Sequence, residues 1–272
     1  MPYWTGKRAL VIGASAGLGR AVADVLAQHG AKLALVARRQ PQLDATVAEL
    51  RTHCRDVIGI SADVTALDDV HRLGETVRQA WGGIDLLVHC AGRSMRGTVL
   101  GTPPAEFRSL WETNFLSALQ CVQEFAEVLT ANRGHVVLVG SLASKLAAGY
   151  LGAYPTSKFP LAALAQQIRL ENEETGLHTL LVCPGPIARE HERHSAPRYE
   201  AQSPDVPAAA QQPGGGAKVR AIDPHWLAGK ILRACEARQA ELVVPARARL
   251  LFTLSQLSPR LGDWLLRKMT SG

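Results

Sequence analysis

A tyrosine and a lysine four residues apart are the side chains best suited to proton chemistry in this sequence. They are Tyr154 and Lys158, in the stretch Y-P-T-S-K. Residues four apart lie on one face of a helix with Cβ atoms roughly 5–6 Å apart, so the ammonium can approach the phenol oxygen. A nearby cation favours the phenolate and lowers the phenol pKa from its usual value of about 10. The pair therefore predicts a general acid or base that acts on an alcohol or a carbonyl.

The pair is common enough to need support from its surroundings. With 4 tyrosines among 272 residues, a chance pair of this kind is expected about once in ten chains. Ser141 precedes Tyr154 by thirteen residues and follows the apolar run 136–139. The carboxyl end of a strand is where ligands meet an open α/β sheet. In isolation a serine there could instead bond its own backbone, so its role depends on the rest of the pattern.

A glycine-rich turn precedes the first helical pattern. The run Gly13-Ala14-Ser15-Ala16-Gly17-Leu18-Gly19 follows the apolar stretch 9–12. Glycines permit a tight turn and let the backbone approach a pyrophosphate, whose charge the helix N-terminus favours. The spacing is G-x-x-x-G-x-G rather than the usual G-x-G-x-x-G, so a simple tight turn is the alternative. The position between a strand and a helix favours a dinucleotide site.

Short β-branched runs alternate with helical patterns, which predicts right-handed crossovers and a parallel sheet covered on both faces. The predicted strands lie at 9–12, 33–36, 57–60, 86–88, 136–139, 180–182 and 241–245. The predicted helices lie near 17–29, 41–53, 67–81, 104–131, 153–174 and 224–238. Pro155 and Pro160 each remove a helical hydrogen bond, so we expect a bend near Tyr154 or a helix that starts close to it. The fold class is a Rossmann-type, doubly wound α/β domain.

The residues after the strands indicate which dinucleotide binds. The second strand ends in Ala37-Arg38-Arg39, where an acidic residue would select NAD and an arginine accommodates the 2′-phosphate of NADP(H). A solvated basic loop is the alternative, and Arg39 fits it better than Arg38. Asp63-Val64 closes the third strand, where the adenine would lie. Cys90-Ala91-Gly92 follows the fourth strand and leaves room for a bound ring.

Composition and charge exclude several classes of function. The net charge is +6, but the chain from residue 246 onward contributes five basic side chains against one aspartate. No basic run is interleaved with aromatic residues, which argues against nucleic-acid binding. The 5 cysteines form no C-x-x-C and are interpreted as reduced, mostly buried thiols, without a disulfide or metal site. Neither a secretory leader nor an 18-residue apolar window is found, which predicts a soluble cytoplasmic protein.

Together these residues resemble the short-chain dehydrogenase/reductase family over about residues 6–190. The resemblance implies about seven parallel strands and hydride exchange between NADP(H) and a small carbonyl or alcohol. It implies that Ser141 hydrogen-bonds the substrate oxygen and that Tyr154 donates its proton to that oxygen. By the same resemblance, Lys158 lowers the Tyr154 pKa and holds the nicotinamide ribose. Asn114 is implied to hold a water that leads to Lys158. A homodimer or homotetramer, commonly formed through the helices carrying Asn114 and Tyr154, is also implied. The cofactor contacts are expected at Gly13, Ser15, Ala16, Gly17, Leu18, Gly19, Arg38, Arg39, Asp63, Val64, Cys90, Ala91, Gly92, Tyr154, Lys158, Pro184, Gly185 and Ile187.

The chain also departs from the family pattern. Ile12 stands where the family usually has threonine, and His89-Cys90 replaces a common Asn-Asn. We interpret His89 as a local hydrogen-bonding residue, because no metal partners are spaced around it. Arg189 stands where the family often places a threonine near the nicotinamide carboxamide, which puts that anchor in doubt. A protein that binds NADP without turnover, as a sensor or scaffold, is therefore the alternative function.

Two segments beyond the motifs bear on the substrate. We expect a dinucleotide-binding domain at 1–245, in which the Pro- and Gly-rich stretch 189–220 is a substrate lid rather than a mere insertion. The extension 246–272 is amphipathic, and it packs either on the domain, on a second subunit, or on a membrane surface. A looser resemblance to 3-ketosphinganine reductase-like and 11β-hydroxysteroid dehydrogenase-like proteins implies an apolar or acyl-type carbonyl substrate.

Overall fold

A seven-stranded, all-parallel sheet forms the centre of the computed structural model, which describes residues 2–188, 206–211 and 220–270. The strands are β1 (Arg8–Ile12), β2 (Lys32–Ala37), β3 (Val57–Ser61), β4 (Leu86–His89), β5 (His135–Val139), β6 (His178–Pro184) and β7 (Glu241–Val244). The helices are α1 (Gly17–Gln28), α2 (Gln40–Leu50), α3 (Leu67–Trp81), α4 (Pro104–Trp111), α5 (Ser117–Ala131), α6 (Tyr154–Glu171), α7 (Ala208–Gln211), α8 (Pro224–Glu236), α9 (Ala248–Leu257) and α10 (Pro259–Thr270). The predicted single α/β domain with seven parallel strands is confirmed.

The strand order β3-β2-β1-β4-β5-β6-β7 indicates where a ligand would bind. The chain moves outward from β1 to β2 and β3, then returns to pair β4 with the other side of β1. Ligands of open α/β sheets bind outside the carboxyl ends of the strands at such a reversal. The turns after β1, β4 and β5 all open at this edge, so the sheet brings the predicted motifs together.

Alternation along the strands supplies two separate core layers. Val11 of β1 packs in one layer with α1 and α8, whereas Leu10 packs in the other with α3, α5 and α6. Successive strand residues point to opposite faces, so a strand covered on both sides is apolar at every position. This confirms the expectation of helices on both faces.

The long helix expected at 104–131 is interrupted. Glu112–Leu116 forms a π-helical turn between α4 and α5, and Asn114 lies in it. Leu110 before the turn faces a small cluster with Met95 and Ala153, whereas α5 packs into the sheet core. A π turn shifts the phase of a helix, and such turns are frequent at functional sites. The sequence prediction missed it because the turn contains neither proline nor glycine.

One predicted boundary also shifts. The third strand ends at Ser61, so Asp63 and Val64 follow it instead of closing it. The Asp63 carboxylate accepts bonds from the Thr65 backbone N–H (3.0 Å) and from the Thr65 hydroxyl (2.8 Å), a local turn that competes with strand pairing. By contrast, α6 begins at Tyr154, as expected from Pro155, because proline is tolerated in the first turn.

The C-terminal extension forms a pair of helices, α9 and α10. Phe252 of α9 is buried in the core layer that contains α5 and α6, which supports packing on the domain. On the outer side, Leu257 is 77% exposed and Trp264 of α10 is 51% exposed. None of the described helices is long and apolar enough to cross a membrane. Contact of this pair with a second subunit or a membrane surface stays a prediction.

Candidate active site

The glycine turn after β1 is held by close backbone contacts. Gly13 has φ +81°, and a Cβ there would lie 3.0 Å from the Ala91 nitrogen in the turn after β4. A Cβ on Gly19 would lie 2.2 Å from the Gly13 carbonyl oxygen. Larger residues would therefore force apart the turn, α1 and the turn after β4. The two glycines let these three backbones meet at the switch point of the sheet.

The first turn of α1 is open to an anion. Its N-cap is Ala16, whose side chain makes no cap bond, and the turn contains no acidic residue. The first N–H groups of a helix have no partner within the helix and carry a partial positive charge. A phosphate can satisfy these donors. The residues that the sequence predicted for a pyrophosphate, Ser15 to Gly19, thus fit that group.

The end of β2 presents two exposed arginines next to this turn. Arg38 and Arg39 follow Ala37, and the Ser61 hydroxyl donates to the Arg38 carbonyl oxygen (3.3 Å). This bond fixes the backbone of Arg38 beside β3 while its side chain remains exposed. The neighbouring Asp63 is partly buried and its carboxylate is engaged in its own turn. The geometry therefore offers Arg38 and Arg39 to a ligand at the strand edge.

A buried hydrogen-bonded network connects the π turn, α6 and the turn after β4. The Asn114 amide donates to the Ser157 hydroxyl (2.8 Å) and to the Arg93 carbonyl (2.9 Å), and its carbonyl accepts from the Arg93 N–H (2.8 Å). The Ser157 hydroxyl in turn donates to the Tyr154 carbonyl (2.7 Å). Asn114 and Ser157 are fully buried. Asn114 is thus a fixed part of the site rather than an exposed or capping residue.

Lys158 is a buried cation beside this network. Its Nζ donates to the Val139 carbonyl (3.0 Å) at the end of β5, and the residue is 5% exposed. A Cβ on Gly92 would lie 3.2 Å from Nζ and 2.9 Å from Asn114 Oδ1, so Gly92 leaves the space that both need. Burial lowers the Lys158 pKa to about 8. The ammonium is still mostly protonated at neutral pH, yet it is close to titration.

Ser141 and Tyr154 lie at the two ends of the loop that follows β5. The Ser141 hydroxyl accepts from the Ala143 N–H (3.1 Å) and caps the short 3₁₀ helix Leu142–Ser144. It therefore does bond its own backbone, but as an acceptor, so its proton is still available for a substrate oxygen. Tyr154 lies one helical turn before Lys158, on the same face of α6. Its partly buried ring packs against Met95, Leu110 and Ala153.

His89, the last residue of β4, is buried, and Cys90 after it is partly buried; both are neutral at neutral pH. His89 shares a hydrogen bond of 3.1 Å with the Ser117 hydroxyl, which agrees with a local hydrogen-bonding role. Burial, together with the nearby Lys158 charge, lowers the His89 pKa to about 3. Burial also raises the pKa of the Cys90 thiol to about 12. Neither residue is ionised at neutral pH, so Lys158 is the charged group next to them.

The expected cofactor contacts Pro184, Gly185 and Ile187 lie at the end of β6 and directly after it. Gly185 donates from its N–H to the Val244 carbonyl (2.7 Å), and Ile187 forms a parallel bridge with Ile222. These contacts fix Pro184, Gly185 and Ile187 at the carboxyl edge of the sheet, on the same side as the glycine turn. Arg189, where the carboxamide anchor was in doubt, lies outside the described residues, as does most of the predicted lid at 189–220.

Sequence reasoning missed three residues that organise the site. Ser157 bridges Asn114 and α6, although its place beside Lys158 could have drawn attention to it. Met95 accepts the Ala153 N–H with its sulfur (3.3 Å). Arg96 is buried and donates from Nε to the Ala210 carbonyl of α7 (2.7 Å). The last two contacts join segments far apart in sequence, and nothing in the local pattern indicates them.

Comparison with known proteins decides the family. The sequence model of the family described as "short chain dehydrogenase" matches residues 7–200, which is most of the chain. The chain belongs to the short-chain dehydrogenase family. Its members are oxidoreductases, and the glycine turn, the Ser141–Tyr154 interval and the buried Lys158 all lie within the matched range.

Individual relatives of this short-chain dehydrogenase differ in length. The glycine betaine reductase ATRR of Emericella nidulans is 35% identical over 185 residues, 68% of this chain but 15% of that protein. The ketoacyl reductase HetN of Nostoc sp. is 27% identical over 278 residues, 98% of this chain and 90% of that protein. A short-chain dehydrogenase/reductase from Burkholderia phymatum, solved in complex with NAD, superposes with a TM-score of 0.83 at 25% identity, covering 96% of each chain.

Proposed function

We propose that this short-chain dehydrogenase is an NADP(H)-dependent reductase of ketones, acting on an apolar or acyl-type carbonyl. The observation that carries the proposal is the buried Asn114–Ser157 bond, with the buried Lys158 beside it, at the base of the α6 turn that presents Tyr154. The cost of burying the Asn114 amide is offset by its hydrogen bonds, whereas a buried ammonium remains costly to the fold. Here they support a tyrosine at the edge of the sheet where ligands bind.

The chain's own residues supply the proton that the carbonyl oxygen receives, and they stabilise the negative charge that develops on that oxygen. NADPH, when bound, supplies the hydride that reduces the carbonyl carbon. Ser141 donates a hydrogen bond to the carbonyl oxygen, and Tyr154 transfers its phenolic proton to that oxygen as negative charge develops. Lys158 holds the ribose hydroxyls and favours the phenolate that remains on Tyr154. Asn114 holds the water through which the proton of Tyr154 is replaced, next to Lys158.

The residues present fit a dinucleotide. The uncapped α1 N-terminus and the glycine turn suit the pyrophosphate, and Asp63 and Val64 would border the adenine beyond the end of β3. Gly92 in the turn after β4 lets Asn114 and Lys158 approach the backbone there, where Lys158 would hold the ribose. Arg38 and Arg39 offer charge for a 2′-phosphate. The Burkholderia phymatum protein holds NAD, so the preference for NADP(H) rests on the two arginines.

The substrate class is inferred from the surroundings of Tyr154. Met95, Leu110 and Ala153 form a buried apolar cluster against which both the Tyr154 ring and Phe107 pack, and apolar surroundings suit an apolar group next to the reacting carbonyl. HetN carries the name ketoacyl reductase, which supports an acyl-type substrate. The segment 189–220 is proposed as the lid, and the bond from Arg96 to Ala210 ties the described part of it to the site.

A panel of carbonyl compounds monitored by NADPH absorbance tests the function. It should contain 3-oxoacyl thioesters, long-chain ketones, steroid ketones and small polar ketones. We expect reduction of apolar or acyl-type members and little turnover of the small polar ones. Tight NADPH binding without turnover of any member would instead favour a sensor or scaffold that keeps the dinucleotide fold.

Cofactor choice can be tested at the end of β2. Arg38→Ala should weaken NADPH binding about ten- to hundredfold, because it removes a charged hydrogen bond to the 2′-phosphate, and it should leave NADH binding nearly unchanged. Binding of both cofactors would be measured by fluorescence titration. Arg39→Ala should have a smaller effect, and Arg55→Ala, an exposed arginine at the opposite edge of the sheet, serves as the charge-matched control. Equal affinities of the parent protein for NADPH and NADH would contradict the assignment.

Assembly and boundaries complete the proposal. We propose a domain at 1–245 with the extension 246–272 packed on it, and a homodimer or homotetramer formed through the helices near Asn114 and Tyr154. Trp111 is 39% exposed and Phe159 is 40% exposed on that side, and a second copy of the chain would cover both. Light scattering that gave a monomer at micromolar concentration would contradict the assembly.

A further inference from the structure

Two histidines and a cysteine meet at the edge of the sheet opposite the candidate active site. His135 begins β5 and His178 begins β6, and the strand register pairs these two residues directly. Cys235, near the end of α8, covers the same face. One ligand atom from each of the three residues lies within 4.8 Å of the others. The cluster is therefore built from three elements of the rigid core.

The cluster is buried, and its outer ring nitrogens are already held. His135 is 3% exposed, His178 is 5% exposed and Cys235 is fully buried. The Nδ1 atoms of the two histidines face each other at 2.9 Å. His135 Nε2 lies 2.6 Å from the Tyr3 hydroxyl, and His178 Nε2 lies 2.8 Å from the Gln239 carbonyl. Metal-bound histidines commonly have this arrangement, with one nitrogen inward and the other bonded to a fixed oxygen.

Without a metal, the protons of this chain of bonds have one consistent arrangement. A carbonyl only accepts, so His178 carries its proton on Nε2 and its Nδ1 is bare. His135 must then donate from Nδ1, and its Nε2 accepts the Tyr3 proton. Both rings are neutral in this arrangement, which is the form that binds metals. The sequence pattern could not predict the cluster, because its members have none of the short spacings of a zinc motif.

We propose that His135, His178 and Cys235 form a binding site for a divalent transition-metal ion, with Zn²⁺ as the ion best suited to two imidazoles and a thiolate. Binding releases one proton, from the Cys235 thiol. The His135 proton moves from Nδ1 to Nε2, and the Tyr3 hydroxyl changes from donor to acceptor. The Gln239 carbonyl keeps its bond from His178. No buried polar group loses its partner when the ion enters.

All three ligand atoms must move before a tetrahedral ion fits. Zinc–nitrogen bonds of about 2.0–2.1 Å place two ligand nitrogens of a tetrahedral site roughly 3.3–3.4 Å apart, so the two rings must separate by about 0.4 Å. The three ligand atoms are now spread over up to 4.8 Å, so the Cys235 sulfur must also approach the rings. His178 borders a cleft of about 650 Å³ that is also lined by Arg133, Arg169, Glu173 and Arg238. The fourth ligand of the ion is assigned to a water molecule. The bound ion would join β5, β6 and α8 at the edge of the sheet that lacks the cofactor motifs.

Cobalt titration of the metal-stripped, full-length protein tests the site. We expect one equivalent of Co²⁺ to bind with a thiolate-to-cobalt charge-transfer band, and Zn²⁺ to displace it and raise the melting temperature. Cys235→Ala should remove the band, and His178→Asn should weaken binding at least about tenfold. The matched controls are Cys121→Ala, at an equally buried cysteine in the other core layer, and His53→Asn, at an exposed histidine. Neither control should change the band or the affinity.

The absence of binding at micromolar Co²⁺, or a band that survives Cys235→Ala, would show the proposal to be wrong. A second measurement needs no variant. X-ray absorption of the zinc-loaded parent protein should give one sulfur at about 2.3 Å and two nitrogens at about 2.0–2.1 Å. A shell of nitrogen and oxygen alone would overturn the assignment. Neither readout depends on NADPH or on turnover, so the result is independent of the proposed reductase activity.

Discussion

Replacing Tyr154 by phenylalanine should reduce carbonyl turnover about 10²–10⁴-fold, the usual contribution of a positioned general acid. The ring would keep its packing against Met95, Leu110 and Ala153, so the fold and the cofactor pocket should be preserved. The Asn114–Ser157 bond and the Lys158–Val139 bond do not involve the phenol oxygen. NADPH affinity, measured by fluorescence titration, should therefore change little although kcat decreases strongly.

A neighbouring tyrosine provides the matched control. Tyr150 lies four residues earlier in the same loop, and it is 43% exposed. Tyr150→Phe removes the same hydroxyl group from the chain and should leave turnover close to that of the parent protein. Loss of turnover by less than about tenfold in Tyr154→Phe would remove this residue from the role of principal acid. A parallel loss of NADPH binding would point instead to a structural role.

Replacing Lys158 by methionine should have opposite effects on activity and on stability. Turnover should fall by more than about hundredfold, because the phenolate loses its stabilising cation and the ribose loses a donor. The apo protein should nevertheless be no less stable than the parent at pH 7. Burial lowers the Lys158 pKa from 10.5 to about 8, which corresponds to a cost of about 3 kcal/mol for the folded, charged form. Methionine removes this cost, but it also removes the hydrogen bond to the Val139 carbonyl, which takes back about 1–3 kcal/mol of the stability gained.

The pH dependence of the free energy of unfolding distinguishes the cost of a buried Lys158 charge from general packing effects. Below pH 8 both the folded and the unfolded lysine are charged, so the folded parent bears the full cost. Between the folded pKa of about 8 and the unfolded value of 10.5, only the unfolded state is protonated, and stability rises with pH. The parent protein should therefore gain about 1.4 kcal/mol per pH unit relative to Lys158→Met in this window. Urea unfolding of both proteins from pH 7 to 10 measures the difference.

An exposed lysine serves as the control for this series. Lys230 lies on the surface of α8, and Lys230→Met should change neither turnover nor the pH dependence of the free energy of unfolding. A stability difference between the parent and Lys158→Met that stayed constant from pH 7 to 10 would contradict a buried cation. Turnover that persisted in Lys158→Met would contradict its role beside Tyr154.

The sequence predicted the fold well because the fold depends on local patterns. Alternating apolar runs specified the strands, and Pro155 indicated where α6 begins, since both signals lie within a few residues. Spacing along the sequence singled out Asn114, Ser141, Tyr154 and Lys158, but it indicated neither Ser157 nor the contacts that hold these residues together. The bonds from Asn114 to Ser157 and from Lys158 to Val139 depend on how two helices and a strand end pack together, and no local spacing encodes that packing.

Boundaries failed where a side chain competed with the backbone pattern. β3 ends at Ser61, and the Asp63 carboxylate bonds Thr65 in a turn beyond the strand, so Asp63 and Val64 do not close it as the sequence predicted. The π turn at 112–116 was missed because every residue in it is compatible with an ordinary α-helix. Both failures lie at the edge of the sheet where the cofactor motifs gather. Local rules are most often broken at functional sites, because function rather than helix or strand stability selects the residues there.

The π turn also restricts which mutations the segment from α4 to α5 can accept. An α-helix turns by about 100° per residue, so deletion of any one residue from 112–116 would rotate α4 against α5 by that angle. Leu110 could then not face Met95 while Phe125 faces the sheet core, and Asn114 would leave Ser157. A substitution at Glu112, the exposed residue of the turn, keeps this phase, whereas a change of length does not. Over this stretch the number of residues is therefore under a stricter constraint than the identity of most of them.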